Sequence, residues 1–588
     1  MMEDLTVAWR QGQLTDIAFH FSGLIARLDP AADDAVVLAA ALTSNYSVSN
    51  QVCLDLSQVA GKSVFSAING KEIVAPQLSN WISVLRQSRV VATNDEYKPL
   101  VLESNNRLYL YRYWKLEQRL SVLLHQRAAS SDFQFDSSKL SEAVSLIFPP
   151  TDRTKEQCEV AELVVRRPFV VVSGGPGTGK TTTIVHVLGV LVEMGIVSSD
   201  EVVLSAPTGK AAARLLDVVV QKSRRLESVS APCVYHASTL HRLLGWNRGG
   251  IRSSSVPSPV IPYEVVVVDE ASMVDLTLMT HLLERLSPKT RLILVGDRNQ
   301  LTSVGMGSVL GDICSAAESR SLKRSMVVLR NCWRFSSNGQ FASFAKAVNS
   351  GESERAQKIL DQPKQSDLIM RSIENRLELS RLLEKHCIRS FADAIQLAST
   401  GVQPDIILKK HCRLKLLTAH RKGFRGSDQL NRLVEEQLSI RGFVPPSEAW
   451  YIGRPVLITK NNYDLQLFNG DIGVVLPDNE EPGITRVVFP KIGGGWRQIH
   501  PRQLPEHETV YATTIHKSQG SEYEHVIIVL PETFSSILSR ELIYTAVTRA
   551  TTKLEIWGRK EILKEAILYR AQRVSGLRDQ LSRFNAVE

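Results

Sequence analysis

The run Val170-Val-Val-Ser-Gly-Gly-Pro-Gly-Thr-Gly-Lys-Thr-Thr182 carries an apolar segment straight into the pattern G-x-x-x-x-G-K-T, from Gly174 to Thr181. Gly174, Gly175, Gly177 and Gly179, with Pro176 and Thr178 among them, let the backbone curl so that successive N–H groups face a phosphate chain. Lys180 is suited to the β- and γ-phosphates and the Thr181 hydroxyl to Mg²⁺, and Thr182 closes the phosphate-binding run. Ile184, Val185, Leu188, Leu191 and Val192 then recur at helical spacing, so the loop opens a helix whose amino end favours an anion. Strand, loop and helix in this order predict a nucleoside triphosphate site, where glycines serving only a tight turn would not need that context.

Further along, Val265-Val-Val-Val-Asp-Glu-Ala-Ser272 sets two carboxylates at the end of a buried strand. In a phosphate-loop fold Asp269 holds Mg²⁺ at this place and Glu270 polarises the attacking water. The competing reading is an acidic helix cap. Gly296-Asp-Arg-Asn-Gln-Leu301 follows the next apolar run, and Gln300 there is suited either to sense a γ-phosphate or to hold a turn.

The apolar runs Phe169 to Val172, Val202 to Ser205, Val265 to Val268 and Leu292 to Val295 alternate with helical patterns and predict a largely parallel sheet within 151–335. A second set, Leu414 to Thr418, Val526 to Leu530 and Leu554 to Trp557, predicts another α/β domain over 336–588. Between about 440 and 505 short apolar runs are punctuated by Asn469-Gly-Asp and Gly493-Gly-Gly, which predicts a small inserted β-barrel. Residues 1–150 carry helical stretches such as Val36-Val-Leu-Ala-Ala-Ala-Leu42 and no phosphate loop, so a mostly helical accessory domain is expected there.

Composition narrows the classes. The 588 residues exceed one core, and 70 Lys and Arg against 61 acids leave a net +9, consistent with an anionic partner such as nucleic acid. Seven scattered cysteines without a C-x-x-C argue against a disulfide framework, a zinc ribbon or an iron–sulfur cluster. With neither a leader pattern at Met1 nor an apolar run of membrane-spanning length, a cytoplasmic location is expected.

Ser205-Ala-Pro-Thr-Gly-Lys-Ala-Ala-Ala213, Thr239-Leu-His-Arg-Leu-Leu-Gly245, Ala512-Thr-Thr-Ile-His-Lys-Ser-Gln-Gly-Ser521 and Tyr544-Thr-Ala-Val-Thr-Arg-Ala550 complete an ordered set that resembles the motifs of superfamily-one DNA helicases. Trp450 to Gly473, Gly305 to Cys314 and Arg107 to Trp114 resemble the RecD branch of that superfamily, so the likeness extends over essentially the whole chain. The resemblance implies two tandem RecA-like phosphate-loop motor domains, with the insert an SH3-like barrel. It assigns Gln157 to the adenine, and Arg334 and Arg549 to the γ-phosphate from the walls of the cleft between the motors. It places Thr208, Thr239, His241, Thr514, His516 and Lys517 in segments that touch single-stranded DNA, although local capping by each Thr is an equal reading from the residue alone.

The same resemblance implies a 5′ to 3′, ATP- and Mg²⁺-dependent motor in the RecBCD helicase–nuclease complex, exodeoxyribonuclease V. RecB-like and RecC-like partners would supply the nuclease, in double-strand break repair and recombination. Two alternatives stand beside it: a regulatory ATP-binding subunit that produces no motion, and a stand-alone helicase. The N-terminal region lacks the extended helix-hairpin-helix module of stand-alone relatives, which favours the complex-bound reading.

Overall fold

The computed structural model describes residues 1–68, 71–130, 133–148, 151, 154–223, 235–245, 260–303, 305–318, 322–333, 339–362, 367–446, 449–462, 464–478, 481, 483–491, 495–571 and 573–583. Successive residues of the strand Phe169–Gly174 point to opposite faces, and both faces are apolar, so the strand needs cover on two sides. Phe169 and Val171 join one core with Val266, Val268, Leu292 and Leu294, while Val170 and Val172 join another with Val265, Val267, Ile293 and Val295. Each buried valine contributes roughly 1.5–3 kcal/mol relative to exposure, enough to offset the ordering of its own backbone.

Six parallel strands result, in the order Met326–Leu329, Phe169–Gly174, Arg291–Gly296, Val265–Val268, Val202–Ala206 and His236–Thr239. Helices Ser137–Ile147, Lys155–Arg166, Lys180–Glu193 and Gly209–Ser223 supply one core, and Tyr111–Ala129, Leu276–Glu284 and Val309–Glu318 the other. Two of these covering helices, Tyr111–Ala129 and Ser137–Ile147, precede residue 150 in the chain.

The second sheet is also parallel, in the order Leu368–Arg371, Ala550–Trp557, Tyr523–Val529, Leu414–Thr418 and Ala512–Thr514. It alternates in the same way: Leu417, Val526, Ile528, Leu554 and Ile556 face one core, and Leu414, Leu416, Ile527, Val529 and Trp557 the other. Between Leu414–Thr418 and Ala512–Thr514 the chain builds a five-stranded antiparallel sheet in the order Trp496–Ile499, Thr485–Pro490, Ile472–Pro477, Pro455–Ile458 and His507–Thr509. Its last strand runs into the second parallel sheet through Val510 and Tyr511. The turn before Ile472–Pro477 rests on the first unit: a Cβ built on Gly209 would stand 2.7 Å from the Phe468 Cβ, so this contact needs a glycine.

The N-terminal region carries the expected helices, among them Met2–Arg10, Asp16–Leu28, Asp34–Val48 and Leu78–Gln87. Asp34–Val48 is buried continuously from Ala35 to Ser44, which is why its sequence shows no single apolar stripe. The region also contains a sheet in the order Cys53–Asp55, Arg107–Leu110, Leu100–Leu102 and Val91–Ala92, and the hairpin Ser63–Ile68 with Lys71–Val74. Strands this short leave too little alternation to be read in advance.

After helix Lys560–Leu568 the chain returns to the first unit as a strap. The Arg573 guanidinium donates to the carbonyls of Ser303 and Gly305 at 2.9 and 2.6 Å, Val52 N–H donates to Val574 O at 3.0 Å, and Ser575 Oγ donates to Glu117 at 2.9 Å. Leu577 and Leu581 then enter the first core. No helix among the described residues is long and apolar enough to cross a membrane.

Candidate active site in the cleft between the two parallel sheets

The turn after Phe169–Gly174 is tight because Gly177 and Gly179 hold φ of 75° and 84°, a region that favours glycine. Thr178 Oγ1 donates to Gly175 O at 2.8 Å, and a Cβ on Gly174 would stand 2.6 Å from that hydroxyl oxygen and 3.1 Å from Leu329 O. Lys180 opens the helix Lys180–Glu193, and its ammonium donates to the carbonyls of Gly174 and Gly175 at 2.8 and 3.1 Å, inside the loop it would serve. Gln157, on Lys155–Arg166, lies against Gly179, and Trp333 N–H donates to Gly177 O at 2.8 Å, so the loop is held on two sides.

Asp269 and Glu270 stand at the carboxyl end of Val265–Val268. Glu270 occupies the left-handed region at φ 51° and ψ 39°, a conformation that costs a non-glycine residue on the order of 1–3 kcal/mol and here turns its side chain into the cleft. Its N–H donates to Asp269 Oδ1 at 2.8 Å. Burial pushes the Asp269 carboxyl up to about 6, the Glu270 charge adds to the rise, and the Glu270 N–H, Lys180 and Arg214 oppose it. Burial also raises Asp297, against the pull of Lys180; Asp297 accepts from Tyr544 Oη at 3.3 Å, across the cleft.

Further contacts span the same gap. Gln300 and Arg549 are both buried, at 4% exposure each, and Arg549 Nη2 donates to Gln300 Oε1 at 3.2 Å. Leu301 N–H donates to Thr545 Oγ1 at 2.9 Å, and Gln519 Nε2 to Leu301 O at 3.3 Å. A cavity of about 420 Å³ opens between the sheets, lined by Lys180, Thr181, Asp269, Glu270 and Gln300 from one side and by Gly520, Glu522 and Arg549 from the other. Ten of the residues singled out in sequence, Pro176, Gly177, Gly179, Lys180, Thr181, Thr182, Asp269, Glu270, Gln300 and Arg549, therefore meet at one site. Arg334 lies outside the described residues.

Sequence reasoning missed Arg214 and Trp333, which line the cavity, and the Asp297–Tyr544 contact. Asp297 and Tyr544 stood inside quoted motifs, and Arg214 one residue beyond another. Only folding brings them to the cleft.

The residues expected at DNA occupy the carboxyl ends of parallel strands, where ligands of open α/β sheets bind. Thr239 ends the edge strand His236–Thr239, Thr514 ends the edge strand Ala512–Thr514, and Thr208 follows Val202–Ala206. Their hydroxyls cap local turns, accepting from Arg242, Lys517 and Ala211 N–H at 3.3, 3.4 and 3.3 Å respectively. His241 is exposed beside Thr239. His516 sits in the turn after Thr514, where burial and then Arg573 lower its pKa, so it is neutral at pH 7. Lys517 Nζ donates to Glu508 Oε1 at 2.7 Å.

Three family models match: the N-terminal domain of RecBCD enzyme subunit RecD over residues 10–109, an AAA domain over 157–306 and a UvrD-like helicase C-terminal domain over 509–556. The chain is 34% identical over 585 residues to RecBCD enzyme subunit RecD of Mycobacterium tuberculosis, covering 98% of this chain and 96% of that one. It is 35% identical over 560 residues to the same subunit of Mycolicibacterium smegmatis, covering 93% and 94%. The ATP-dependent RecD2 DNA helicase of Deinococcus radiodurans is 32% identical over 400 residues, 68% of this chain and 48% of the relative. Among solved structures, a Pif1 helicase from Bacteroides with ADP-AlF3 and ssDNA is a remote likeness, at a TM-score of 0.39 and 15% identity over 74% of this chain and 98% of that one. Identity at this level along nearly the full length, with a phosphate loop and an acidic pair facing a second sheet, means that the chain belongs to the RecD family of ATP-dependent DNA helicase subunits.

Proposed function

We propose that this helicase is a 5′ to 3′ single-strand motor working beside RecB-like and RecC-like subunits, in the cytoplasm, on the ends of broken DNA. The observation that carries the motor is the cavity lined from both sheets, with Gln300 and Arg549 in contact across it. A guanidinium brought to a transferring phosphoryl group from a second domain is worth roughly 10³ to 10⁵ in rate, and makes closure of the cleft sense the nucleotide. Lys180 and the loop N–H groups bind the phosphates, Gln157 flanks the adenine, Glu270 takes the proton of the attacking water, and Gln300 and Arg549 meet the γ-phosphate. The names of the relatives support the RecBCD assembly and the partner subunits. The antiparallel sheet after Pro455 is read as the SH3-like insert of this branch.

The cleft fits Mg²⁺: the Asp269 carboxylate is buried at a strand end beside a loop lysine, and Thr181 supplies a hydroxyl in the same cavity. Asp269 and Thr181 would hold the ion, which would neutralise phosphate charge. On the DNA side, the edge-strand ends carrying Thr239 and Thr514 offer backbone N–H groups and Lys517 to phosphates, contacts without sequence information. The regulatory reading finds less support, because a subunit that only binds ATP has no use for a buried arginine joined to a glutamine across the cleft.

Three measurements test this. The chain, alone and with its partner subunits, is given duplexes with a 5′ or a 3′ overhang; unwinding proceeds from the 5′ overhang and Lys180→Gln abolishes it. ATP binding without DNA-stimulated turnover in every combination returns the chain to the regulatory role.

Metal-nucleotide binding requires an ionised Asp269. Raised to about 6, this carboxyl takes up a proton as pH falls through that value, so affinity for Mg²⁺–ATP weakens below about pH 6 and is level above about 7. A fluorescent-nucleotide titration at pH 5.5 and 7.5 reads the step, and Asp269→Asn removes it. Affinity that is flat across this range speaks against Asp269 as the ligand.

Lys517 must exchange Glu508 for phosphate when DNA binds. Glu508→Gln therefore tightens single-strand binding, and Lys517→Ala weakens it while reducing the salt slope by about 1. Equal salt slopes for wild type and Lys517→Ala would remove this lysine from the interface.

A further inference from the structure

Helix Gly209–Ser223 turns one face to the nucleotide cavity, through Ala211, Arg214, Leu215, Val218 and Lys222. Their spacing is that of a single helical stripe. The middle of this face bridges the cleft: Arg214 Nη1 donates to Gly520 O at 2.7 Å and Nη2 pairs with Glu522 Oε1 at 2.9 Å. Between those two acceptors lies Ser521, whose carbonyl accepts from Arg549 Nη1 at 3.1 Å. Gly520 itself runs against the acidic pair, since a Cβ there would stand 3.8 Å from Glu270 Oε1 and 3.7 Å from the Ala211 Cβ. Three consecutive residues of the second unit are thus held by two arginines, one from each side of the cleft.

We propose that Arg214 is a positioning residue for hydrolysis: by gripping Gly520 and Glu522 it fixes the segment on which the Arg549 guanidinium is aligned, and so sets where Arg549 meets the γ-phosphate. The amino end of the same helix is where the inserted sheet rests, with Phe468 on Gly209 and Lys210 near Gly470, and it follows Thr208 directly. The helix therefore joins the strand-binding edge at one end to the arginine alignment in its middle, a route by which bound DNA raises ATP turnover. A guanidinium is suited to this double grip because it presents two parallel N–H donors, to a carbonyl and a carboxylate at once.

The inference rests on Arg549 acting at the γ-phosphate, and the experiment keeps the two apart. DNA-stimulated ATP hydrolysis by the full chain is measured for wild type, Arg214→Ala, Arg214→Lys, Glu522→Gln and Arg549→Ala, with nucleotide affinity measured separately. Misplacing a catalytic group by a fraction of its reach costs roughly 10- to 100-fold, so Arg214→Ala lowers kcat by that factor while KM for ATP and the melting temperature stay near wild type. Arg214→Lys, which keeps the charge and can reach one acceptor, recovers part of the turnover. Should Arg214→Ala fold poorly, Glu522→Gln removes the ion pair from the other side of the cleft and is read by the same split. Arg214→Ala and Glu522→Gln with kcat within about twofold of wild type overturn the proposal. So does a rise in KM at unchanged kcat, which marks Arg214 as an ordinary nucleotide-binding group. Wild-type turnover in Arg549→Ala instead refutes the reading of Arg549 itself, whatever Arg214 does.

Discussion

A guanidinium removed from water has to be met by acceptors, and at Arg549 those acceptors fix how the two sheets face one another. The side chain is 4% exposed and donates to Thr545 O, Ser521 O and Gln300 Oε1 at 3.2, 3.1 and 3.2 Å. Leaving a buried cation short of partners costs several kcal/mol, so the second unit cannot shift against Gln300 without replacing that bond. The surrounding contacts obey the same constraint: Leu301 with Thr545, Leu301 with Gln519 and Asp297 with Tyr544 all join the first sheet to residues near Arg549. A triphosphate entering the cavity brings an acceptor of higher charge to the same place. On the role proposed for Arg549, cleft geometry and nucleotide state are tied through one side chain.

The rest of the molecule holds this cleft from three directions. The strap at Arg573 reaches Ser303 and Gly305, just beyond Gln300, and continues into the first core through Leu577 and Leu581. The inserted sheet lies on the start of helix Gly209–Ser223 through Phe468. Tyr111–Ala129 covers one face of the sheet that bears the phosphate loop, so the N-terminal region is part of the motor's support. The cleft is therefore tied to elements distant in sequence from any nucleotide motif.

How much of this was legible in sequence follows from which interactions are local. The buried strands were readable because runs such as Val265–Val268 are apolar on both faces, which only a covered parallel sheet tolerates. The phosphate loop and the acidic pair were readable because their chemistry requires adjacent residues. The edge strands His236–Thr239 and Ala512–Thr514 were not, being short and mixed in polarity, and neither were the two- and three-residue strands of the N-terminal sheet. Arg214 was not legible because its partners lie some three hundred residues away, and nothing near it distinguishes it from a solvated helix arginine. Lys517 is expected at DNA from its motif, but its pairing with Glu508 on the neighbouring antiparallel strand is not legible, because the insert's return to the second sheet sets it.

The central claim is that nucleotide closes one unit on the other through the arginines of the cleft. The most direct test is the distance between labels at Glu193, at the end of the phosphate-loop helix, and Glu532, on the second unit, both of which are exposed. With an ADP–metal fluoride analogue and single-stranded DNA, the account predicts a shifted and narrower distance distribution than without nucleotide, and loss of that change in Arg549→Ala. A distribution that is the same with and without the analogue would contradict it.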